Sequence, residues 1–348
     1  MIFASDNAGP AHPSVLDALV KANDGYAMGY GADTLMDTVR EQIRDTFEAP
    51  DAQVFLVATG TAANSILLAT MANPWDTIFC SPVAHIHEDE CNAPEFYSGA
   101  KLTLVPAQDA KMSPDALRAA ISGEESRGVH GPQRGPVSIT QVTEKGTVYS
   151  LDELRALTAV AQEFGCKTHL DGARFSNAVA ALGCTPAEMT WKAGIDTVSF
   201  GGTKNGMMGV EACVIFDPDI AWEFELRRKR GGHLFSKHRY LSAQMQCYLR
   251  DKLWLDLATR ANTACAQLAD GLRAHITVEF LHEPQANIIF ARFPRAIHKR
   301  LHDAGAQYYV WDGDPHSGDP DALLTARLVT DWSTSPNAIR SFLNAMQS

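Results

Sequence analysis

The sequence predicts an α/β protein: a large domain with a mostly parallel sheet of the seven-stranded type, covered by helices, followed by a small α+β domain. Short apolar runs alternate with amphipathic helical patterns from about residue 35 onward, which is typical of parallel strands connected by helices. Past about residue 240, a long helical stretch precedes further strand-like runs. We therefore assign residues 1–240 to the large domain and residues 241–348 to the small one.

The first predicted helix and strand lead into a tight turn. Apolar residues recur every four positions from Leu35 to Phe47, as in a helix that lies with one face on a sheet. Residues 54–57 form a continuous apolar run of strand length, and Thr59-Gly60-Thr61 separates this run from a helix-like stretch. The sequence thus predicts a strand, a turn and a helix in succession.

The remaining predicted elements follow the same alternation. Further strands of the large domain are predicted at residues 77–80, 102–105, 137–142, 168–170 and 197–200. Helical patterns follow Ser113, Leu151 and Ala173. The small domain is predicted to contain one long helix at residues 240–272, strands at residues 277–281, 287–293 and 323–329, and a long polar loop at residues 312–321.

Composition narrows the class of protein. The 348 residues are 45% hydrophobic and 20% charged, as in ordinary globular proteins. A formal net charge of -11 repels nucleic acids and anionic membrane surfaces, so we expect neither as a partner. The first residues lack a secretory pattern, and no apolar run approaches the ~18 residues of a membrane span. We expect a cytoplasmic enzyme.

Lys204 is the first residue that can carry chemistry. It lies in a glycine-rich loop, residues 200–206, directly after a predicted strand and among residues too small to crowd a planar ligand. A lysine that forms a Schiff base with a cofactor requires such access. An ordinary solvated loop lysine has the same pattern, so Lys204 alone does not separate the two interpretations.

Asp171 offers a partner for such a cofactor. It ends an apolar run, which places a carboxylate at the carboxyl edge of the predicted sheet. Pyridoxal phosphate requires an acid beside its pyridine nitrogen to keep the ring an electron sink, although an aspartate that caps the next helix is the alternative. Gly60 and Thr61 add backbone amides at a helix amino terminus, where a phosphate group binds favourably. Together with Lys204, these features describe one pyridoxal-phosphate site.

His85 follows another predicted strand end and supplies a flat ring that could stack on the cofactor and transfer a proton. The same segment permits a different interpretation. His85 and His87, together with residues 88–90, could ligate zinc or another divalent metal in a hydrolase. That interpretation leaves Lys204 and the turn at residues 59–61 without a role, so we expect no metal.

Taken in order, these motifs resemble those of the low-specificity L-threonine aldolase family, whose fold is the aspartate-aminotransferase-like fold of type I pyridoxal-phosphate enzymes. The landmarks span nearly the whole chain: Ser5-Asp6, Tyr30-Gly31, Thr59-Gly60-Thr61, His85, Asp171-Gly172-Ala173-Arg174, Lys204 and residues 326–330. The resemblance implies cleavage of L-threonine, L-allo-threonine or a related β-hydroxy-α-amino acid, such as phenylserine, to glycine and an aldehyde.

The resemblance also implies roles for individual residues. Lys204 would hold pyridoxal 5'-phosphate as a Schiff base, Asp171 would pair with its ring nitrogen, and His85 would stack on the ring. The implied cofactor site also includes Gly60, Thr61, Thr143 and Arg174, and the implied substrate site consists of Ser5, Tyr30, Arg174 and Arg327. Apart from the resemblance, His85, directly or through a water, is our candidate for the base that acts on the substrate hydroxyl, with Glu90 or His87 as a supporting group.

A homodimer or homotetramer is a further expectation from the resemblance. In the family a basic residue reaches the active site of a neighbouring subunit, and Lys237 or Arg239 could do so. A solvated helix end is the alternative for these basic residues. The sequence also departs from the commoner family pattern at residues 141–144, which read Gln-Val-Thr-Glu in place of Glu-Asn-Thr-His, and such a change is consistent with an altered preference for the substrate side chain.

Two other functions remain open from the residues alone. An aminotransferase or a β-eliminating lyase would use Lys204 and Asp171 in the same way and would differ only in its products. A metal-dependent hydrolase built on His85 and His87 belongs to another class and would be inactivated by a chelator.

Overall fold

The computed structural model describes residues 1–275 and 277–347. Its helices are α1 Pro13–Ala22, α2 Thr34–Thr46, α3 Gly60–Met71, α4 His85–Glu88, α5 Ala93–Ser98, α6 Pro114–Gly123, α7 Leu151–Glu163, α8 Phe175–Leu182, α9 Pro186–Met189, α10 Ala221–Arg230, α11 Arg239–Leu249, α12 Leu253–Arg273, α13 Arg295–Asp303 and α14 Pro336–Gln347. Its strands are β1 Gln53–Val57, β2 Asp76–Cys80, β3 Lys101–Leu104, β4 Ala107–Gln108, β5 Lys111–Met112, β6 Gln133–Thr140, β7 Thr168–Gly172, β8 Thr197–Gly201, β9 Glu211–Ile215, β10 Glu279–Phe280, β11 Ile288–Pro294, β12 Tyr309–Val310 and β13 Leu323–Val329.

Within these residues, seven strands form the large sheet in the order β1-β9-β8-β7-β6-β2-β3. Strands β3, β2, β6, β7 and β8 are parallel, whereas β9 runs antiparallel to both of its neighbours. Val54 and Leu56 contribute to one hydrophobic cluster and Phe55 and Val57 to another, as alternating residues of a strand with two covered faces do. The predicted fold class is confirmed.

The parallel strands explain why distant residues meet. Because β1, β2, β6, β7 and β8 all point the same way, the segments that follow them emerge at one edge of the sheet. Strand β9 begins at that edge, where Glu211 pairs with Val57 of β1 and with Gly201 of β8. Gly60, His85 and Lys204 all follow such strand ends.

The small sheet has the order β10-β11-β13-β12 and is antiparallel. The amino-terminal segment joins it: the N–H of Phe3 donates to the carbonyl of Gln307, and the N–H of Val329 donates to the carbonyl of Phe3. Phe3 is completely buried in the core of this sheet. The hydrophobic contacts assign Leu241 to Leu257 to the core of the large sheet, and the domain boundary near residue 240 stays a prediction.

One predicted helix is wrong in its extent. Residues 240–272 form two helices, α11 and α12, because the backbone leaves helical geometry at Asp251 and Lys252, whose φ angles are 54° and 56°. Neither glycine nor proline marks this break in the sequence, so periodicity alone did not reveal it. The strand predicted at residues 277–281 is shorter, and only Glu279–Phe280 pairs with β11. In the described residues, no helix is long and apolar enough to cross a membrane.

Phe200 connects the large sheet to the helices that cover it. Its ring centroid lies 5.2 Å from that of Phe175, 5.6 Å from that of Tyr248 and 5.9 Å from that of Trp254. We expect Phe200→Ala to lower the free energy of unfolding by ~3–5 kcal/mol, because it leaves a cavity among these rings. Chemical denaturation measures the change. Phe96→Ala is the control, since Phe96 is 82% exposed, and an equal loss in both variants would contradict the assignment.

Candidate active site

A cavity of about 250 Å³ lies at the carboxyl edge of the large sheet. Its lining includes six residues that the sequence singled out: Gly60, Thr61, His85, Glu90, Asp171 and Lys204. They lie at or after the ends of four different strands, and the common direction of these strands brings them to one place.

Lys204 lies in a short helical turn, Thr203–Asn205, directly after β8. Gly201 allows the close approach that this turn requires, because a Cβ there would lie only 2.5 Å from the carbonyl oxygen of Ala173. The N–H of Gly202 donates to Oε2 of Glu211 at 2.7 Å. No hydrogen-bond or ion-pair partner holds Nζ of Lys204 in the described part of the chain, so the amine is available inside the cavity.

Asp171 is the penultimate residue of β7 and is buried. Its Oδ1 accepts the N–H of Ala173 at 3.1 Å, and its Oδ2 accepts Nδ2–H of Asn64 at 3.1 Å. Burial raises the pKa of Asp171, and the negative charge of Glu90 raises it further, while His85 and Lys204 act in the opposite sense. A cationic group placed against this carboxylate would favour its charged form.

The amino terminus of α3 provides an anion site. Thr59 caps the helix by accepting the N–H of Ala62 on its hydroxyl at 3.2 Å. Among residues 1–275 and 277–347, the N–H groups of Gly60 and Thr61 have no acceptor. A Cβ added to Gly60 would meet no atom within 4 Å. Free amides at a helix amino terminus, with open space before them, suit a phosphate group.

His85 begins α4, and its ring is fixed by Glu90. It donates Nδ1–H to Oε1 of Glu90 at 2.8 Å, and its side chain is 29% exposed. This hydrogen bond is the main reason that the pKa of His85 is raised above its ordinary value, although burial opposes it. His87 is exposed. The described residues contain no group of three or more side chains arranged for a metal ion.

Two arginines converge on the amino-terminal segment. Arg174 donates Nε–H and Nη2–H to the two carboxylate oxygens of Asp6 at 2.6 and 2.9 Å. Arg327 donates Nη1–H to the carbonyl of Ala4 at 3.3 Å. Ser5 lies between these two contacts and accepts the N–H of Asn7 on its hydroxyl. The structure therefore brings Ser5, Arg174 and Arg327 together, as the sequence predicted for a carboxylate site.

The pKa values of Arg174 and Arg327 shift in opposite directions. Burial acts to lower the pKa of Arg174, but the charges of Asp6, Glu144 and Asp171, together with the hydrogen bonds to Asp6, outweigh it and the pKa is raised. Burial lowers the pKa of Arg327, and the nearby positive charge of Arg174 lowers it further. Arg327 lacks a carboxylate partner of its own among the described residues, and an added carboxylate would compensate its charge.

A second cavity, of about 340 Å³, is lined in part by Arg327. Its lining combines acidic and aromatic side chains: Glu88, Asp89, Glu144, Phe290, Tyr309 and Trp311. Nζ of Lys145 lies 4.7 Å from the ring centroid of Phe290. Glu144 raises the pKa of both His85 and Arg327 through its negative charge, so this wall of the second cavity lies within electrostatic reach of the Lys204 cavity.

Several predicted site residues lie elsewhere or have other partners. Tyr30 does not line the Lys204 cavity; its ring lies 4.6 Å from Nζ of Lys229. The hydroxyl of Thr143 is hydrogen-bonded to that of Thr147 at 2.6 Å. Arg239 donates to the carbonyl of Gly25 at 2.9 Å, whereas Lys237 is exposed.

Two residues of the site carry no motif in the sequence. Asn64 lies in the second turn of α3, and Glu211 opens an apolar strand. Burial raises the pKa of Glu211 to about 7, and its partners in the Lys204 turn act in the opposite sense. A charged residue at the start of an otherwise apolar strand was the available signal for Glu211. Asn64 offered none, since a polar residue in a helix is ordinary.

The Asp6–Arg174 pair predicts a large effect on stability. We expect Asp6→Asn to lower the free energy of unfolding by ~3–5 kcal/mol, because it leaves the charge of Arg174 buried without a counterion. The charges of Arg174 and Lys204 hold the pKa of Asp6 below its ordinary value, although burial opposes this. The pair therefore stabilises the fold at neutral pH, and this stabilisation disappears as the pH falls through the lowered pKa.

Urea denaturation of the apoprotein at neutral and acid pH tests this prediction. The matched control is Asp37→Asn, which breaks an exposed pair with Arg40 and should change the free energy of unfolding by about 1 kcal/mol or less. Equal effects of the two substitutions at neutral pH would contradict the role of Asp6.

Comparison with known proteins supports one family over the whole chain. Residues 3–294 match the Beta-eliminating lyase family. The chain is 41% identical to the low specificity L-threonine aldolase of Pseudomonas sp. (strain NCIMB 10558) and 39% identical to that of Pseudomonas aeruginosa, in each case over 97% of this chain and 94% of the relative. A solved structure of threonine aldolase from Leishmania major superposes with a TM-score of 0.92 at 26% identity, covering 99% of this chain and 98% of that one.

The identity to the Pseudomonas enzymes extends over nearly the full length of each chain, and the fold and cavity described above agree with it. The expectation drawn from the order of the motifs is confirmed. This protein belongs to the low-specificity L-threonine aldolase family, within the beta-eliminating lyases.

Proposed function

We propose that this protein cleaves L-threonine, L-allo-threonine or a related β-hydroxy-α-amino acid to glycine and an aldehyde, with pyridoxal 5'-phosphate as cofactor. One observation carries the proposal: the free amine of Lys204, the buried carboxylate of Asp171 and the open helix terminus at Gly60 line a single cavity. The names of the two Pseudomonas relatives support the reaction.

The residues of the cavity fit the cofactor. Lys204 would hold it covalently through Nζ, and the amides of Gly60 and Thr61 would hold its phosphate. Asp171 would lie against the protonated ring nitrogen, because a cationic neighbour stabilises the charged form of a buried carboxylate. When bound, pyridoxal phosphate withdraws electrons from the α-carbon of an attached amino acid and so weakens the bonds of that carbon.

The substrate carboxylate would bind between the arginines. Arg327 has donors to spare, and Arg174 keeps its Nη1 group and one N–H of Nη2 after bonding to Asp6. A planar guanidinium matches a carboxylate with two parallel hydrogen bonds. Ser5 adds a hydroxyl beside them. These contacts would hold the amino acid by its carboxylate and leave its side chain free to extend towards His85.

His85 would act as the base. Its Nε2 takes the proton of the β-hydroxyl group, the O–H bond breaks as the carbonyl of the aldehyde forms, and the electron pair of the Cα–Cβ bond stays with the α-carbon. The α-carbon then receives a proton, for which the protonated His85 is a source, and the amino acid product is glycine. Lys204 would serve to hold the cofactor and would not be needed as the base.

The remaining predicted residues belong to the same proposal. Thr143 would border the cofactor ring. In support, the loop that carries it follows β6 beside β7, and the N–H of Gln141 in this loop donates to the carbonyl of Asp171. A second copy of this chain is the proposed partner. Tyr30 and the exposed Lys237 would serve its active site, whereas Arg239, already bonded to Gly25, would support that surface.

β-Elimination is the second candidate, since the matching family bears that name. Lys204 and Asp171 would serve it equally. From threonine, an aldolase releases glycine and acetaldehyde, whereas a β-eliminating lyase releases ammonia and a 2-oxo acid. Assaying all four products from one incubation decides between the two reactions.

Lys204→Ala and Asp171→Asn should both lower the rate of retro-aldol turnover. Lys204→Ala removes the covalent link, so we expect retro-aldol turnover to fall by at least ~10³-fold. Asp171→Asn keeps the size of the side chain but removes the charge beside the ring, and we expect a loss of ~10²-fold or more. Coupled detection of acetaldehyde measures both. Lys101→Ala, at an exposed lysine of β3, is the control, and full activity in Lys204→Ala would exclude the assigned role.

Arg327→Ala should weaken substrate binding. A hydrogen bond to a charged group is worth about 1.5–3 kcal/mol, so we expect KM for threonine to rise about 10- to 100-fold, with a smaller change in kcat. Arg292→Ala removes an exposed arginine of the same small sheet and serves as the control. An unchanged KM in Arg327→Ala would remove Arg327 from the carboxylate site.

A further inference from the structure

Glu90 is a buried carboxylate that the mechanism above does not use. Its side chain is 0% exposed. Oε1 accepts two hydrogen bonds, Nδ1–H of His85 at 2.8 Å and Nδ2–H of Asn64 at 2.9 Å. Oε2 is buried and has no partner in the described structure. Burying a carboxylate that has an unpartnered oxygen costs free energy, and a function of Glu90 would explain its position.

Asn64 determines where Glu90 lies. Its amide group donates one N–H to Glu90 and the other to Oδ2 of Asp171, so it separates two carboxylates that would otherwise repel each other. Its carbonyl accepts the hydroxyl of Ser199 at 2.8 Å. Rotating the amide by half a turn would place its oxygen against both carboxylates, so only one orientation satisfies all of its neighbours.

The hydrogen-bond chain behind Ser199 fixes that orientation. The hydroxyl of Ser199 lies 3.1 Å from Nε2 of His169, and Nδ1 of His169 lies 3.0 Å from the hydroxyl of Ser138. Burial lowers the pKa of His169 to about 3, so this ring is neutral at physiological pH. It can donate from Nε2 to Ser199, which leaves the Ser199 proton for Asn64.

We propose that Glu90, held in place by Asn64, is a positioning residue for His85: it binds the proton on Nδ1 and thereby leaves Nε2 as the basic nitrogen of the ring. The inference rests on the proposed function, in which His85 removes the hydroxyl proton. In this inference, Glu90 sets the orientation and the tautomer of His85, and Asn64 keeps Glu90 apart from Asp171. Neither Glu90 nor Asn64 need touch the substrate.

The charges around His85 give the sign of the effect. The Glu90 hydrogen bond contributes most to the raised pKa of His85; Asp171 and Glu144 also raise it, whereas burial and Lys204 lower it. A base acts in its neutral form, so activity falls on the acid side as His85 becomes protonated. Removing the charge of Glu90 should therefore move the acid limb of the pH profile to lower pH.

Glu90→Gln tests the inference, because it keeps the size of the side chain and a hydrogen-bond acceptor but removes the charge. In the holoenzyme, we expect the acid limb of kcat/KM for threonine to shift to lower pH and kcat to fall about 10- to 100-fold, part of the ~10²–10⁴ that a general base supplies. KM should change about twofold or less. Glu95→Gln is the matched control, since Glu95 also has a buried, unpartnered Oε2 but does not contact His85.

A second readout does not depend on turnover. In apoprotein with isotope-labelled histidine, NMR reports the tautomer and the pKa of His85, assigned by its loss in His85→Gln. We expect Nδ1–H in the wild type and a lower pKa in Glu90→Gln. A neutral ring protonated on Nε2 in the wild type, or a pKa unchanged by Glu90→Gln, would overturn the inference. If the NMR result holds but the wild-type holoenzyme releases no glycine from threonine, the proposed reaction fails while the assignment of the Glu90–His85 contact stands.

Discussion

The ion pair between Asp6 and Arg174 is the contact on which the substrate side of this structure depends. Both side chains are almost fully buried, and such a pair is stable only when its remaining polar atoms are also satisfied. Asn287 supplies one of these contacts, donating Nδ2–H to Asp6 at 3.1 Å. Asp6, Arg174 and Asn287 thus connect the amino-terminal segment to the large sheet and to the residues that precede β11. Because Arg327 also contacts the amino-terminal segment, at Ala4, the two arginines are held at a fixed position relative to each other.

The cofactor side depends on a different constraint, the common direction of the strands. Each strand end contributes one element: an anion-binding helix terminus, a histidine, a carboxylate or a lysine. Such an edge brings together like charges as well as opposite ones. Asn64 separates Asp171 and Glu90 by donating one N–H of its amide group to each carboxylate. In the proposed function, this contact would relate the acid beside the cofactor ring to the residue that supports His85.

The sequence predicted six of the seven described strands of the large sheet, because each is a short apolar run followed by a turn, but it did not predict β9. The hydrophobic periodicity predicted one continuous helix where the structure has α11 and α12. The break lies at Asp251 and Lys252, which adopt left-handed conformations although neither residue is a glycine. Motifs predicted Lys204 and Asp171, which line one cavity and would meet the cofactor directly in the proposed function. Asn64 could not be found in this way, because its role arises from partners far apart in the sequence. Likewise, Tyr30 lies outside the Lys204 cavity of its own chain, and in the proposed function it would serve the active site of a second copy, which the sequence of one chain does not specify.

The central claim is that Lys204 carries pyridoxal phosphate. The most direct test is to reduce the purified wild-type holoprotein with borohydride, digest it and locate the modified peptide by mass spectrometry. The account predicts that the visible absorbance is lost on reduction and that the phosphopyridoxyl group is found on Lys204. A label at another lysine, or a protein that takes up no pyridoxal phosphate on reconstitution, would contradict it.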